Sequence, residues 1–327
     1  MTKPRVLSGV KPSGKLHLGN YLGAVQRFLE LQNSGEYNCF FMIADLHSLT
    51  EKFDPEKKQQ EILDMMIDFL ALGLDPEKST LFIQSQVPEH LELTWIFDCL
   101  VPIGELERMT QYKDFVARGH AANAGLFTYP ILQAADILAY KAKFVPVGED
   151  QLQHLELTNE IVRRFNNRFG QTFESVRPLL SETPRVMSLL EPTKKMSKSL
   201  GENNIINLSD EPEIIEKKLA RAVTDTGKEK KMTPGVKNLF SLLEIFGEPE
   251  QIAFFQEQHK SKAIRYADLK ASLAKVIAHY FADYRKKRKE LEKNLDFVQQ
   301  ALAAGREKAK AITSQTLIEV KEKVGLA

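Results

Sequence analysis

Ser8 to Ala24 reads SGVKPSGKLHLGNYLGA. It follows a short apolar run at Val6 and Leu7 and leads into a helical pattern, with Gly9, Pro12, Gly14 and Gly19 in between. A strand, a tight glycine-containing turn and a helix start make a ready anion site, because the first helical N–H groups lack an intrahelical partner. His17 and Asn20, three residues apart, share one face of that first turn and can address one ligand. Gly19 beside them leaves room for something flat against the backbone. Taken alone, the stretch is as readily an ordinary strand–turn–helix corner carrying a surface histidine.

Working outward, strand and helix signals alternate. Tyr37 to Ala44 (YNCFFMIA) is an apolar run of strand length that ends in Asp45-Leu46-His47-Ser48. Pro55 to Leu74 carries apolar residues at helical spacing, Ser79 to Gln84 is a second strand and Leu91 to Leu100 a helix. This alternation predicts an α/β fold with a doubly wound parallel sheet covered on both faces. Ligands in such sheets sit beyond the carboxyl ends of the strands. Ser8-Gly9 and Asp45-Leu46-His47 fall at those ends.

Gly104 to Lys143 breaks the rhythm with two helical patterns, GELERMTQYKDF and TYPILQAADILAYKA, and reads as a helical insertion. Asp136 lies in the second, amid Ile131, Leu132, Ala134, Ala135, Ile137 and Leu138. A carboxylate so embedded is costly unless it is paired or reaches a polar ligand. A structural salt bridge is the plainer explanation, yet the apolar flanks favour a function. Phe144 to Gln151 (FVPVGEDQ) is a strand running into Gly148, Glu149 and Asp150, whose acids suit either a helix dipole or ribose hydroxyls. Arg185 to Leu190 is the next strand-like run.

The second deciding stretch is Pro192 to Gly201, PTKKMSKSLG. Lys194, Lys195 and Lys198 with Ser197 and Ser199 make a short cationic loop bearing hydroxyls. Ammonium groups are compact point charges, suited to a polyphosphate whose charge grows on a leaving group. A solvated basic loop is the commoner fate of such a run. Beyond Gly201 the strand signals fade into helical patterns over 213–224, 236–246, 249–259, 267–294 and 295–324. The run Arg285-Lys286-Lys287-Arg288-Lys289 is a phosphate-contacting patch or, by default, the wet face of a long helix.

The 327 residues suggest about two domains. With 43% hydrophobic and 27% charged residues, the composition is that of a globular protein with ample core. No apolar run is long enough for a bilayer, and the N-terminus lacks a signal-peptide pattern, so no membrane association and a cytoplasmic location are expected. Cys39 and Cys99 read as reduced core residues without zinc spacing. The net charge of +1 does not identify a nucleic-acid binder.

His17-Leu18-Gly19-Asn20 and Lys195-Met196-Ser197-Lys198-Ser199 together resemble the two signatures of class I aminoacyl-tRNA synthetases, known as HIGH and KMSKS. Gly104–Lys113, Thr128–Leu138, Val145–Thr158 and the block ending in KMSKS are similar to tryptophanyl-tRNA synthetases over nearly the whole chain. The resemblance implies a Rossmann catalytic domain over 1–200, with the insertion at about 104–143 at a homodimer interface and the KMSKS loop at 195–199. A C-terminal all-helical domain over 201–327 would bind the tRNA anticodon.

The implied substrates are ATP with Mg2+, L-tryptophan and tRNA(Trp); no iron–sulfur cluster or zinc is expected. His17, Asn20, Lys195 and Lys198 would be catalytic. Lys11, Pro12, Ser13, Gly19, Asn20, Lys113, Gly148, Glu149, Asp150, Val186 and the whole run from Lys195 to Ser199, with Met196 and Ser197, would bind ATP. Asp136 would accept the indole N–H, with Leu7, His47, Tyr129, Gln133, Val145, Val147 and Gln151 around the amino acid. An indole nitrogen only donates, so a buried carboxylate left without that donor penalises other substrates. A tyrosyl-tRNA synthetase, and a paralogue that binds tryptophan or tRNA without aminoacylating, are the alternatives.

Overall fold

The computed structural model describes residues 3–12, 14–117, 119, 122–180, 185–225 and 231–327. In chain order the elements are β1 (Arg5–Val10), α1 (Leu18–Asn20), a π-helical turn (Tyr21–Val25), α2 (Gln26–Ser34), β2 (Asn38–Ile43), α3 (Asp45–Ser48), α4 (Pro55–Leu72), β3 (Ser79–Ile83) and α5 (Glu89–Asp98). Next come α6 (Ile103–Leu106), α7 (Thr110–Ala117), α8 (Ala124–Ala139), β4 (Phe144–Val147), α9 (Leu152–Phe169) and β5 (Arg177–Leu180). The helices α10 (Pro212–Ala220), α11 (Pro234–Phe246), α12 (Pro249–Lys260), α13 (Tyr266–Tyr280), α14 (Ala282–Leu291) and α15 (Leu295–Val324) complete the chain.

All five strands are parallel, in the order β3-β2-β1-β4-β5. That is the doubly wound order, and it reverses between β1 and β4. β1 and β2 pair in register from Arg5 opposite Asn38 to Val10 opposite Ile43. β2 and β3 are buried almost throughout, which explains why they read as unbroken apolar runs. Gly9, near the end of β1, is required by its neighbour: a Cβ there would lie 2.6 Å from Met42 Cγ.

Helix boundaries follow ordinary local chemistry. Asp54 caps α4 by accepting from Glu56 N at 3.1 Å, Pro55 opens it, and Gly73 at φ 105° closes it. The single helix expected across 104–115 is instead two, α6 and α7. The reason is Gln153, whose Oε1 accepts from both Thr110 N (2.9 Å) and Thr110 Oγ1 (3.0 Å) and so fixes a new helix start.

Two further expectations change. The strand beside β4 is Arg177–Leu180 and not Arg185–Leu190; it is an edge strand containing Pro178, so it carries little apolar signal. The segment at 185–190 instead meets the lysine loop through an antiparallel bridge, Met187 opposite Lys195. The long helical pattern over 267–294 breaks at Phe281 (φ −97°, ψ 14°) into α13 and α14. Cys39 is buried, but Cys99 is exposed at the end of α5.

The backbone divides into two compact units. The first comprises 1–14, 27–182 and 294–327; the second comprises 15–26 and 183–293. This division differs from a single cut after residue 200. The segment holding His17 belongs to the second unit, and α15 belongs to the first. Within the first unit α15 packs on β3 and α5. The approach is so close that a Cβ on Gly305 would overlap the carbonyl oxygen of Leu81.

Candidate active site

In the first unit, Asp136 is fully buried on α8, and its two carboxylate oxygens are surrounded by donors. His47 Nε2 lies 2.7 Å from Oδ2, and His90 Nδ1 lies 2.7 Å from Oδ1. Gln84 Nε2 reaches both oxygens, at 2.8 and 2.9 Å. These partners come from three strand or helix ends: His47 follows β2, Gln84 follows β3, and His90 opens α5. Burial alone would push the carboxyl up. The imidazole of His47 beside it and the hydrogen bonds from His47 and His90 outweigh that, holding it below the usual carboxylate range. Asp136 is therefore an ionised acceptor, paired with imidazoles and an amide and not with a lysine.

The partners are themselves fixed. Gln84 Oε1 accepts from Leu46 N (3.1 Å) and His47 N (3.4 Å), which forces its NH2 group toward Asp136. His90 Nε2 meets the Tyr140 hydroxyl at 2.9 Å. Neither Gln84, His90 nor Tyr140 was marked by sequence pattern. Each lies in or beside an apolar run where a single polar residue carries no period.

Tyr129, one turn before Gln133 on α8, sits edge-on to His47 with ring centroids 6.2 Å apart. Its hydroxyl donates to Gln111 Oε1 (2.5 Å) and meets His154 Nε2 (2.8 Å). Burial pushes the Tyr129 hydroxyl up to about 12 and the His154 imidazole down to about 4. His154 is a further polar residue that the sequence reading passed over. Leu7, Val145 and Val147 lie in the apolar core with Tyr140.

Gly148, Glu149, Asp150 and Gln151 follow β4 as a turn of 3-10 helix, with Glu149 and Asp150 exposed. Gln151 Nε2 donates to Asp150 Oδ2 at 3.1 Å. At Gly148 a Cβ would come within 2.8 Å of Asp150 Oδ1. Lys11 pairs with Glu51, Pro12 is buried, and Lys113 is exposed on α7. Ser13 lies outside the described residues.

In the second unit, His17 precedes α1 and is joined to the stretch after the lysine loop. His17 and Asn207 form an antiparallel bridge; Leu18 N donates to Ile206 O (3.0 Å) and Leu208 N to Leu16 O (2.9 Å). Asn20 Oδ1 accepts from His17 N at 3.2 Å. A Cβ on Gly19 would lie 2.9 Å from His17 Cε1, so the flat group that glycine admits is the imidazole itself.

The lysine loop is anchored at its base. Met196 is buried, its N donating to Val186 O at 2.9 Å; Val186 is buried too. Ser197 and Ser199 share a 2.9 Å contact between hydroxyls at a short 3-10 turn. Burial, then Lys198 and Lys195, push His17 down to about 4, so the ring is neutral at pH 7. Its Nδ1 is buried without a hydrogen-bond partner among the described residues. A neutral, under-satisfied imidazole in a cationic field suits an incoming anion. The Arg285–Lys289 run is different: Arg285 and Arg288 turn inward, and Arg285 Nη2 donates to Ala278 O at 2.5 Å.

The parallel sheet, the turn at His17 and the lysine loop are the features of a class I synthetase. The chain belongs to the tRNA synthetases class I (W and Y), whose family model matches residues 1–282. It is 44% identical over 330 residues to the tryptophan–tRNA ligase of Caldanaerobacter subterraneus subsp. tengcongensis, covering 98% of each chain. It is also 44% identical over 335 residues to tryptophan–tRNA ligase 2 of Streptomyces avermitilis, covering 99% of this chain and 97% of that one. Its fold is similar to Campylobacter jejuni tryptophanyl-tRNA synthetase complexed with ADP and tryptophan. The TM-score is 0.86 at 35% identity, covering 98% of this chain and 100% of that one.

Proposed function

We infer that the chain is a tryptophan–tRNA ligase. It joins L-tryptophan to ATP, forming tryptophanyl-adenylate and pyrophosphate, and then transfers the tryptophan to tRNA(Trp). The observation that carries this reading is the identity of 44% across 98% of both chains with a tryptophan–tRNA ligase. The tyrosyl and non-aminoacylating alternatives are weaker against that match.

In this reading an oxygen of the tryptophan carboxylate attacks the α-phosphorus. The bond from that phosphorus to the bridging oxygen breaks, and pyrophosphate leaves with the charge. The ribose hydroxyl at the tRNA 3′ end then attacks the activated carbonyl carbon, and AMP departs. Positioning and charge stabilisation supply the rate.

His17, Asn20, Lys195 and Lys198 steady the phosphates, with Gly19, Met196, Ser197 and Ser199 shaping that surface. The low proton affinity and orphaned Nδ1 of His17 support its role: a neutral ring donates one N–H to phosphate without needing to titrate. Gly148, Glu149 and Asp150 take the adenosine, with Val186, Lys11, Pro12, Ser13 and Lys113 as further nucleotide contacts. Mg2+ arrives on the nucleotide's phosphates.

Asp136 accepts the indole N–H, and Leu7, His47, Tyr129, Gln133, Val145, Val147 and Gln151 surround the amino acid. Support comes from its ionised state in a fully buried setting. Helices of the second unit read the tRNA, and the enzyme works in the cytoplasm. Two copies pair through the α5–α8 region, where Leu91, Trp95 and Ile103 are exposed, Trp95 by 71%.

Pyrophosphate exchange measured with each amino acid in turn tests the reading. Exchange dependent on tryptophan is expected; exchange with tyrosine but not tryptophan would overturn it.

A further inference from the structure

Three donor groups close on the Asp136 carboxylate; each of its oxygens is engaged by an imidazole, and the two share one amide. Gln84 Nε2 straddles the two oxygens with one shared hydrogen, while His90 engages Oδ1 and His47 engages Oδ2. Asp136 is fully buried behind these partners, so a ligand's N–H gains a place only if one of them moves. The three partners are not equivalent. Gln84 is fully buried and held by two backbone N–H groups. His90 is fully buried and engaged at both ring nitrogens. His47 alone has an exposed edge, 11% of its side chain. The exchangeable partner is His47; the fixed ones are Gln84 and His90.

The proton positions follow from the donors. Ionised Asp136 only accepts, so His90 carries its proton on Nδ1. A neutral ring then presents a lone pair at Nε2, and the Tyr140 hydroxyl donates to it. Burial pushes that hydroxyl well above its usual range, which keeps its proton in place. The sequence Tyr140 O–H to His90 Nε2, and His90 Nδ1–H to Asp136 Oδ1, runs in one direction only.

We propose that His90, oriented by Tyr140, is a positioning residue for tryptophan recognition: it holds Asp136 in the rotamer from which Oδ2 meets the indole N–H. This rests on the reading of Asp136 as the indole acceptor. His90 touches no substrate. Its effect belongs to discrimination between ligands with and without the ring N–H, and not to ATP or to the chemical step.

The test compares kcat/KM in pyrophosphate exchange for tryptophan and for its analogue with sulfur in place of the ring N–H. Wild type should prefer tryptophan strongly. In His90→Leu that preference should shrink by about tenfold to a hundredfold, the range for losing a hydrogen bond to a buried charge, while the ATP KM stays unchanged. His90→Asn places an amide N–H at the Nδ1 position and should restore most of the preference. Tyr140→Phe should lose part of it, and serves as the deciding variant if His90→Leu does not fold. A preference unchanged in His90→Leu and in Tyr140→Phe, or no rescue by His90→Asn, overturns the proposal. Failure of the wild type itself to prefer tryptophan overturns the Asp136 reading, and this proposal with it.

Discussion

His90 Nδ1 lies 2.7 Å from Asp136 Oδ1, and neither side chain has any exposed surface. A pair sealed this way cannot exchange its partners for water. Its geometry is set by folding, before any ligand arrives. Asp136→Asn tests how strict the arrangement is. An amide in place of the carboxylate sets an NH2 group against donors on Gln84, His47 or His90. At least one buried donor loses its acceptor, at about 1–3 kcal/mol. We expect a lower urea midpoint together with loss of tryptophan-dependent exchange.

Lys198→Ala probes the charge opposite the leaving group. If the ammonium acts mainly as pyrophosphate departs, the exchange kcat falls by about a hundredfold or more while the tryptophan KM changes little. Single-site kinetics with tryptophan varied at fixed ATP would separate the two. An unchanged kcat removes Lys198 from the machinery.

His154 gives a pH signature to stability. Its ring titrates at 6.5 as a free group and at about 4 when folded. Above pH 6.5 the ring is neutral in both states and contributes no slope. Between the two values only the unfolded chain takes up the proton, so stability falls as pH falls, by about 2 kcal/mol at pH 5 from this residue. His154→Gln should remove about that much of the fall in unfolding free energy between pH 7 and pH 5, measured by denaturant titration at each pH.

Gly305 faces the Leu81 carbonyl with no room for a methyl group. Gly305→Ala gains helix propensity but must push α15 off β3. A net destabilisation of about 2 kcal/mol or more is expected from such overpacking. Thermal unfolding would register it; a more stable variant would show that α15 shifts freely.

Trp95 is the chain's single tryptophan and one of its most exposed apolar side chains. In a homodimer built on this face, Trp95→Asp yields a monomer in sedimentation, and Ile103→Asp, which keeps the single tryptophan, red-shifts Trp95 fluorescence relative to wild type.

Much of the fold was written in periodicity. β2 and β3 are buried on both faces, so their apolar runs were unbroken, and α15 matched its residues end to end. β5 escaped because an edge strand containing Pro178 buries little. The start of α7 escaped because its cause, Gln153, lies 43 residues along the chain. Asp136 was legible as a polar residue in an apolar helix. Its partners were not: Gln84, His90 and Tyr140 converge only through tertiary folding, and no spacing joins them. The membership of His17 and of α15 in their units was likewise invisible, since the segments that pack together are far apart in sequence.

One consequence lies in the order of synthesis. α15 covers β3 and α5, yet it is translated about two hundred residues after them. Until that helix leaves the ribosome, one side of the sheet's β3 edge is bare hydrocarbon. The growing chain therefore carries an incomplete catalytic unit through the whole translation of the helices between, and a chaperone that shields β3 during that interval would influence yield more than one acting on the finished enzyme.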